Sequence, residues 1–387
     1  MRIQRTALVI AGAAALAGCG TATPSPRSSP AVSATASPTP TSASVVGTPS
    51  PTPTHPSFEP LLVAFTDRDP DPGVLMLASG QTTVRIPSGP IIGGYGTLSI
   101  SGPFGSRMIG TDGQQIGSSG PVSIVAVSSD GSLATLEKNV AGSPSVVGRD
   151  DGQAWAWAVQ TNSPACGSST RAAFDVYTDD GSGARKIGSA SFGAGVTQVS
   201  LVAWTTAGIV AQGDNACGGP ADPSTLAISP AILMNPATGA ATGLAGRIGT
   251  DCNFEDIVDN GTIVCSLDGS SAAIRVIAPD GTQTNYSVPG LTSRRCLNGG
   301  VALSPDAGFA ALSILCPTSS GARLVLLDLA SGHVVTVTGA SNLSPTLWTP
   351  AGILIATELG AHKTYSVATS GVATLINARY AAQTSIG

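Results

Sequence analysis

From Leu61 onward the chain alternates short apolar runs, rich in Val, Ile and Leu, with turns centred on Gly. Runs such as Val74–Leu77, Thr83–Ile86 and Leu324–Val335 are too short for helices. Their flanking Asp-Gly, Asn-Gly and Ser-Gly pairs predict β-strands joined by hairpins, because these pairs supply the φ > 0 positions that tight turns need. No long stretch carries a 3.6-residue period. The pattern also repeats. Trp204-Thr205-Thr206-Ala207-Gly208-Ile209 returns 144 residues later as Trp348-Thr349-Pro350-Ala351-Gly352-Ile353. Between them stand Asp259-Asn260-Gly261 and Ser304-Pro305-Asp306-Ala307-Gly308. This predicts one series of turns at Gly208, Gly261, Gly308 and Gly352, with Asp112-Gly113 and Asp151-Gly152 as its earlier members. A second series runs through Gly80, Gly131, Gly181, Gly239, Gly281, Gly332 and Gly371, six steps over 291 residues with a mean of 48.5.

Two hairpins per period make four strands, and a 48-residue unit of four strands describes a β-propeller blade. The expected fold is all-β, with seven four-stranded blades. Six or eight remain compatible, because residues 88–120 fit the period poorly. The first unit has strands at Leu61–Phe65, Val74–Leu77 and Thr83–Ile86 but lacks an innermost one. Residues Arg379–Ile386 are left over at the other end, so the C-terminal strand is expected to complete the first blade and close the ring, removing an exposed edge. The Trp-Thr-Pro-Ala-Gly, Ser-Pro-Asp-Ala-Gly and Leu324–Val335 patterns resemble the TolB-like, WD40-like propeller repeats of bacterial envelope proteins. The resemblance spans residues 61–387 and implies an extracytoplasmic propeller, a fold that hosts many functions.

The N-terminus changes the picture from a fold to an address. Arg2 and Arg5 precede an apolar run, Thr6–Ala15, which is shorter than the ~20 residues of a membrane-spanning helix. It ends in Leu16-Ala17-Gly18-Cys19, which looks like a bacterial lipobox. The expected signal peptide is 1–18, and Cys19 is expected to be the lipidated N-terminus, held by acyl chains that each contribute ~0.8 kcal/mol per buried CH₂. Residues 19–60 follow as a tether with ten prolines between Gly20 and Pro60. Such a segment buries too little surface to offset its ordering entropy, and in extended form it reaches up to ~100 Å. The net charge is −5, and 11% of residues are charged. With only three lysines and no basic patch, a nucleic-acid partner is not expected.

Six cysteines remain, an even number in an exported chain, which points to disulfides. Cys252 and Cys265 flank the Asn260 turn, and Cys296 and Cys316 are centred on Asp306. Each of these pairs is expected to bridge the first and second strands of one blade. Cys166 and Cys217 fall in the long second-to-third-strand loops of adjacent blades and form the third pair. All three bridges would lie on one face, whose longest loops are Thr161–Arg171 and Gly213–Ser229.

Candidate chemistry is sparse. Asp67, Asp69 and Asp71 alternate before Gly73 and form a weak Ca²⁺ candidate, since Pro72 and Ala78 break the EF-hand pattern; otherwise no cofactor is expected. Asp251, Glu255, Asp256 and Asp259 form a second acidic group on or beside an innermost strand. His55, His333 and His362 belong to no hydrolase motif, and no catalytic residue is assigned. Trp155 and Trp157 share a strand face and read as packing residues, as do Trp204 and Trp348. The functional expectation is a membrane-anchored extracytoplasmic lipoprotein whose propeller binds or scaffolds an envelope protein or cell-wall polymer. The alternative is a secreted hydrolase or lyase acting on carbohydrate or peptide through acidic residues at the channel.

Overall fold

Strand boundaries are set by side chains that turn the chain. In the turns between the last two strands of successive units, the Oδ1 of Asp130, Asp180, Asn235, Asp280 and Asp328 accepts the backbone N–H two residues ahead. This short-range bond replaces a backbone turn. The computed structural model describes most of residues 99–377, together with 62–66, 74–77, 83–85 and 381–382. Among these, twenty-eight strands form seven four-stranded antiparallel sheets, and the single helix is one turn, Ala245–Ile248. The chain is all-β, in an arrangement consistent with a β-propeller.

Six sheets are simple four-strand meanders, here numbered along the chain as sheet 2 (residues 99–140), sheet 3 (145–191), sheet 4 (198–243), sheet 5 (252–287), sheet 6 (297–336) and sheet 7 (343–377). Sheet 1 is composite. Its strands Leu62–Thr66, Val74–Leu77 and Thr83–Arg85 are joined by Ala381–Ala382, which pairs Thr66 with Ala381 and Phe65 with Ala382. The expected tail, Arg379–Ile386, thus contributes a two-residue strand at the innermost position of sheet 1.

The core lies between the sheets. Five clusters of buried apolar side chains fill the successive seams from sheets 2/3 to sheets 6/7. The strand Ala173–Asp179 shows how one sequence serves two seams. Phe174 and Val176 enter the cluster shared with sheet 4, while Tyr177 packs toward sheet 2. The first strands of sheets 2, 3 and 4 lie against one another, as do those of sheets 5, 6 and 7. Five of these first strands carry a bulge, at Ile100/Gly102, Leu201/Ala203, Phe254/Asp256, Asn298/Val301 and Pro345/Leu347.

Turn positions follow the repeat with two corrections. The seven turns of the second series all fall between the last two strands of a sheet, Gly80 and Gly131 themselves lying outside the described residues. In the first series, Asp112-Gly113 follows a second strand (Arg107–Asp112), and the first hairpin of sheet 2 turns at Gly105, φ +59°. In sheet 6 the left-handed residue is Ala307, φ +55°, rather than Gly308. The Asp306 carboxylate accepts the Ser304 hydroxyl at 2.6 Å and the Gly308 N–H at 2.9 Å, which fixes that turn without glycine at its left-handed position.

Gly239 is the most constrained of the turn glycines. It has φ +71°, and a Cβ there would overlap the carbonyl oxygen of Ile187 in sheet 3. Gly188 answers it, with a Cβ position 2.9 Å from the Gly239 oxygen. Two adjacent sheets therefore touch backbone to backbone. Gly239→Ala is expected to lower unfolding free energy in urea by at least about 3 kcal/mol, combining left-handed strain with displacement of the hairpin. Gly142→Ala serves as the control. Gly142 has φ +73° with open space around it, so strain alone applies and the cost is about 1–2 kcal/mol. Equal losses at the two positions would show that the inter-sheet contact contributes nothing.

Candidate functional site

In each four-stranded meander, the second-to-third-strand loops and the links between sheets leave from the same end. The two longest second-to-third-strand loops rest on hydrogen-bonded stems. Asn162 spans the first, its Nδ2 donating to the Arg171 carbonyl and its Oδ1 accepting the Ala173 N–H, both at 2.8 Å. The second is closed where the Gly213 N–H donates to the Pro230 carbonyl at 2.9 Å. Residues 215–229 lie outside the described residues.

The same end holds a cleft of about 220 Å³ between sheets 6 and 7. Its base is apolar, formed by Ala322, Leu324, Val337 and Leu343, and Arg323, Thr336 and Ser341 stand exposed around it.

Cys252 and Cys265 form a disulfide between the first and second strands of sheet 5, as expected from their placement about the Asn260 turn. In the register Cys265 faces Phe254 and Cys252 faces Leu267, so the bridge runs diagonally, with Cα atoms 5.5 Å apart. Both cysteines are fully buried in the seam with sheet 4. Cys166, Cys217, Cys296 and Cys316 lie outside the described residues, as do Cys19, His55, His362 and the Asp67, Asp69 and Asp71 group.

The four carboxylates singled out around sheet 5 are all engaged by protein donors. Asp251 takes a bidentate pair of bonds from Arg275, both at 2.9 Å. Glu255, at the bulge, accepts the Ser266 hydroxyl at 2.6 Å. Asp259 receives the Thr206 N–H at 2.9 Å, tying the first hairpins of sheets 4 and 5. Asp256 uses one oxygen for the Ile257 N–H and the other for the Leu303 N–H of sheet 6, both at 2.8 Å. Part of Asp256 stays accessible, yet protein encloses its carboxyl. Burial, opposed by those two N–H bonds, raises its pKa to about 7. The structure gives these residues architectural work: they link strands and neighbouring sheets.

A second carboxyl group with a raised pKa went unnoticed in the sequence. Glu137, on the last strand of sheet 2, meets Asp179 of sheet 3, which is buried and accepts the Gly181 and Gly183 N–H groups. Burial first, and then Asp179, push the Glu137 pKa up to about 7. Asp179 is held below the usual carboxylate range because hydrogen bonds from Glu137 and the two glycine N–H groups outweigh its burial. The two carboxyls are thus pushed in opposite directions, Glu137 toward its protonated form and Asp179 toward its charged one. The only sequence signal was a Glu amid an outer strand, and its partner lies 42 positions away.

The tryptophans are structural. Trp157 stacks on Tyr177 at 5.4 Å, and Trp155 meets the Phe104 ring edge-on at 6.1 Å. Trp348 donates its indole N–H to the Ala302 carbonyl at 3.1 Å. Trp204 is half-buried with the Arg149 guanidinium over its ring. Exposed His333 follows the Ser331-Gly332 turn.

No family model and no curated protein matches this chain. Solved structures do. TolB from Acinetobacter baumannii is 17% identical over 73% of this chain and 64% of its own length, with a TM-score of 0.43. An acylaminoacyl peptidase in complex with Z-Gly-Gly-Phe-chloromethyl ketone is 10% identical, covering 79% of this chain and 48% of that one, TM-score 0.50. An oligogalacturonate lyase in complex with manganese is 13% identical over 72% of this chain and 77% of its own, TM-score 0.47. The likeness is one of fold. This chain spans 64% of the TolB and about half of the peptidase.

Proposed function

We propose that this protein is a lipid-anchored, extracytoplasmic binding or scaffold module. Residues 1–18 are its leader, Cys19 its acylated N-terminus and 19–60 its tether. Residues 61–387 form a seven-bladed propeller closed by the C-terminal strand, and the partner is an envelope protein or cell-wall polymer. The observation that carries the reading is the Cys252–Cys265 disulfide. Such bridges persist in oxidising compartments beyond the cytoplasmic membrane, where the Leu16-Ala17-Gly18-Cys19 motif would deliver the chain. The engagement of Asp251, Glu255, Asp256 and Asp259 by protein donors further favours binding over acid–base chemistry at those positions.

The binding face is the one bearing the two long loops and the cleft. The test is a cross-linked pull-down of the intact lipoprotein from its own envelope, with mass spectrometry of the captured material. Replacing 163–170 and 215–229 by short turns is expected to abolish capture while the melting temperature stays within about 2 °C, since the hydrogen-bonded stems remain and surface changes cost little. Capture undiminished by the replacement would move the partner to another face. Retention on cell-wall polysaccharide, lost on substitution of Glu255, would point to the carbohydrate-acting alternative.

A further inference from the structure

We propose that the seam between sheets 2 and 3 holds a proton-operated latch, in which the Glu137 carboxyl and the Trp155 indole N–H are alternative partners of the Asp179 carboxylate. When protonated, Glu137 donates its O–H to Asp179 and ties the two sheets together. When Glu137 gives its proton to solvent, the two carboxylates part, and the Asp179 oxygen so released accepts the Trp155 N–H. The inference is independent of the lipid anchor and of the binding face, and it assigns a regulatory part to a seam outside both.

An idle donor is the first argument. Trp155 and Asp179 stand directly opposite one another on adjacent strands of sheet 3, so their side chains leave from the same face with Cβ atoms ~5 Å apart. That face looks to sheet 2, where Trp155 packs with Phe104 and with Leu136, the neighbour of Glu137. Trp155 is 7% exposed, and its Nε1 is enclosed without a hydrogen-bond partner. An indole nitrogen can only donate, and a buried donor left unpaired is costly. Two other buried side-chain atoms among the described residues share this condition, the Thr178 hydroxyl and the Asn253 Oδ1. Neither answers Asp179, since Thr178, its neighbour on the strand, belongs to the opposite face and Asn253 lies in sheet 5.

The surroundings are the second. The Gly181 and Gly183 N–H groups both hold Oδ1 of Asp179, at 2.7 and 3.0 Å, and among the described residues no backbone bond goes to Oδ2. That oxygen is open to an exchange of partners. The cations near the pair are directed elsewhere: Lys186 to Asp175 at 2.8 Å, Arg149 to Asp151 at 2.7 Å, Arg185 to the Pro236 carbonyl of sheet 4, and Arg107 over the Phe104 ring. Lys138 follows Glu137 on the strand and is exposed. The strands Val122–Val127 and Trp155–Gln160 beside the pair carry no charge. Tyr177 stacks on Trp157, and Asp180 adds negative charge beside Asp179. Burial and Asp179 act on Glu137, no cation opposes them, and its proton stays in place up to about pH 7.

Freedom to move is the third. Glu137 is half-buried, at the boundary between seam and solvent. The ladder between its strand Leu133–Val140 and Val122–Val127 shifts register on both sides of Ile124, the residue that Glu137 faces. Two positions further on, Asn139 adopts the left-handed region, φ +59°. Bulges of this kind loosen the pairing of a strand and re-aim its side chains. Glu137 can therefore swing toward water without unzipping sheet 2. Asp179 stays in place, because the two glycine N–H groups hold Oδ1 whichever partner takes Oδ2.

The test is NMR of the full-length protein in detergent micelles, labelled with nitrogen-15 at tryptophan and titrated from pH 5 to pH 9. The four tryptophans give four indole N–H signals. That of Trp155 is expected to move downfield with a midpoint near pH 7, as its N–H gains a carboxylate acceptor. In Glu137→Gln, which keeps a donor toward Asp179 and cannot ionise, the signal is expected to hold its pH 5 position throughout. Hydrogen exchange over Leu133–Val140, corrected for the intrinsic effect of pH, is expected to quicken at least about fivefold from pH 6 to pH 8 in the wild type and not in the variant, the scale of one charge-assisted bond lost at a partly exposed site. Trp155→Phe assigns the signal; should that variant fail to fold, Phe at Trp157, Trp204 and Trp348 in turn assigns it by elimination. An indole signal that ignores pH, one that titrates equally in Glu137→Gln, or quickened exchange with no change at Trp155 would each overturn the proposal.

Discussion

Deletion of residues 379–387 is expected to abolish soluble expression. Among the described residues, Ala381–Ala382 supplies the only pairing on one edge of strand Leu62–Thr66, and it also lies against the second and third strands of sheet 7. Without it, sheet 1 keeps three strands and loses its link to sheet 7. The first strand then offers an unpaired row of backbone groups, the feature most prone to edge-to-edge association. In the proposed ring the cost exceeds that of the two residue pairs lost, because each sheet is buried only when both neighbours are present. Insoluble or protease-sensitive protein is the outcome predicted from expression and limited proteolysis. A deletion variant that melts like the full chain would mean that sheet 1 is not part of a closed ring.

Stability is expected to fall as pH rises from 5 to 8. Glu137 and Asp256 have ordinary values of 4.5 and 3.8, and both rise to about 7 on folding. A group with a raised folded pKa binds its proton more tightly in the native state. Its contribution is fully present below the unfolded pKa and is lost as pH climbs through the folded one. For the enclosed Asp256 carboxyl the shift corresponds to about 4 kcal/mol at most, and Glu137, much of which faces solvent, contributes well under its nominal ~3 kcal/mol because water screens it. The carboxylates held low by partners, such as Asp175 beside Lys186 and Ser189 and Asp251 beside Arg275, act in the opposite sense but only below about pH 4. They do not offset the decline between 5 and 8. Glu137→Gln keeps a donor toward Asp179 and removes the titration, so it should flatten the profile and gain stability at pH 8. Asp256→Asn also flattens it, yet it forfeits one of two acceptors and should lose stability at pH 5. Denaturant unfolding at the two pH values is the measurement, and a wild-type curve that is flat or rising from 5 to 8 would refute the assignment.

Much of this fold was legible because the repeat writes the same local chemistry many times. An Asp or Asn two residues before a needed N–H sits in the outer hairpins of five sheets, so their positions could be read without knowing any contact. The Cys252–Cys265 bridge was legible for the same reason, its cysteines being placed about a recognisable turn. Asp112-Gly113 misled, since a turn dipeptide marks that the chain bends and says nothing of which loop it belongs to. Ala307 misled differently: its left-handed backbone is held by the Asp306 carboxylate, which let Gly308 look like the turn residue. Glu137 and Asp179 were illegible, because a carboxyl shared across a seam depends on the stacking of two sheets. The roles of Asp256 and Asp259 were likewise hidden, because their donors come from other sheets. The cleft between sheets 6 and 7 is built from three short segments, 322–324, 336–337 and 340–343, none of which stands out alone.

The composite sheet has a consequence for biosynthesis. Phe65 and Thr66 leave the ribosome more than 300 residues before Ala382 and Ala381, the residues they pair with. The sheet begun first is therefore finished last. Until then a partly translated chain can pair that strand with Val74–Leu77 on one side, while its other edge stays open. Arrival of Ala381–Ala382 would thus separate a molecule with sheet 1 completed from one whose sheet edge is still open to capture by chaperones and proteases.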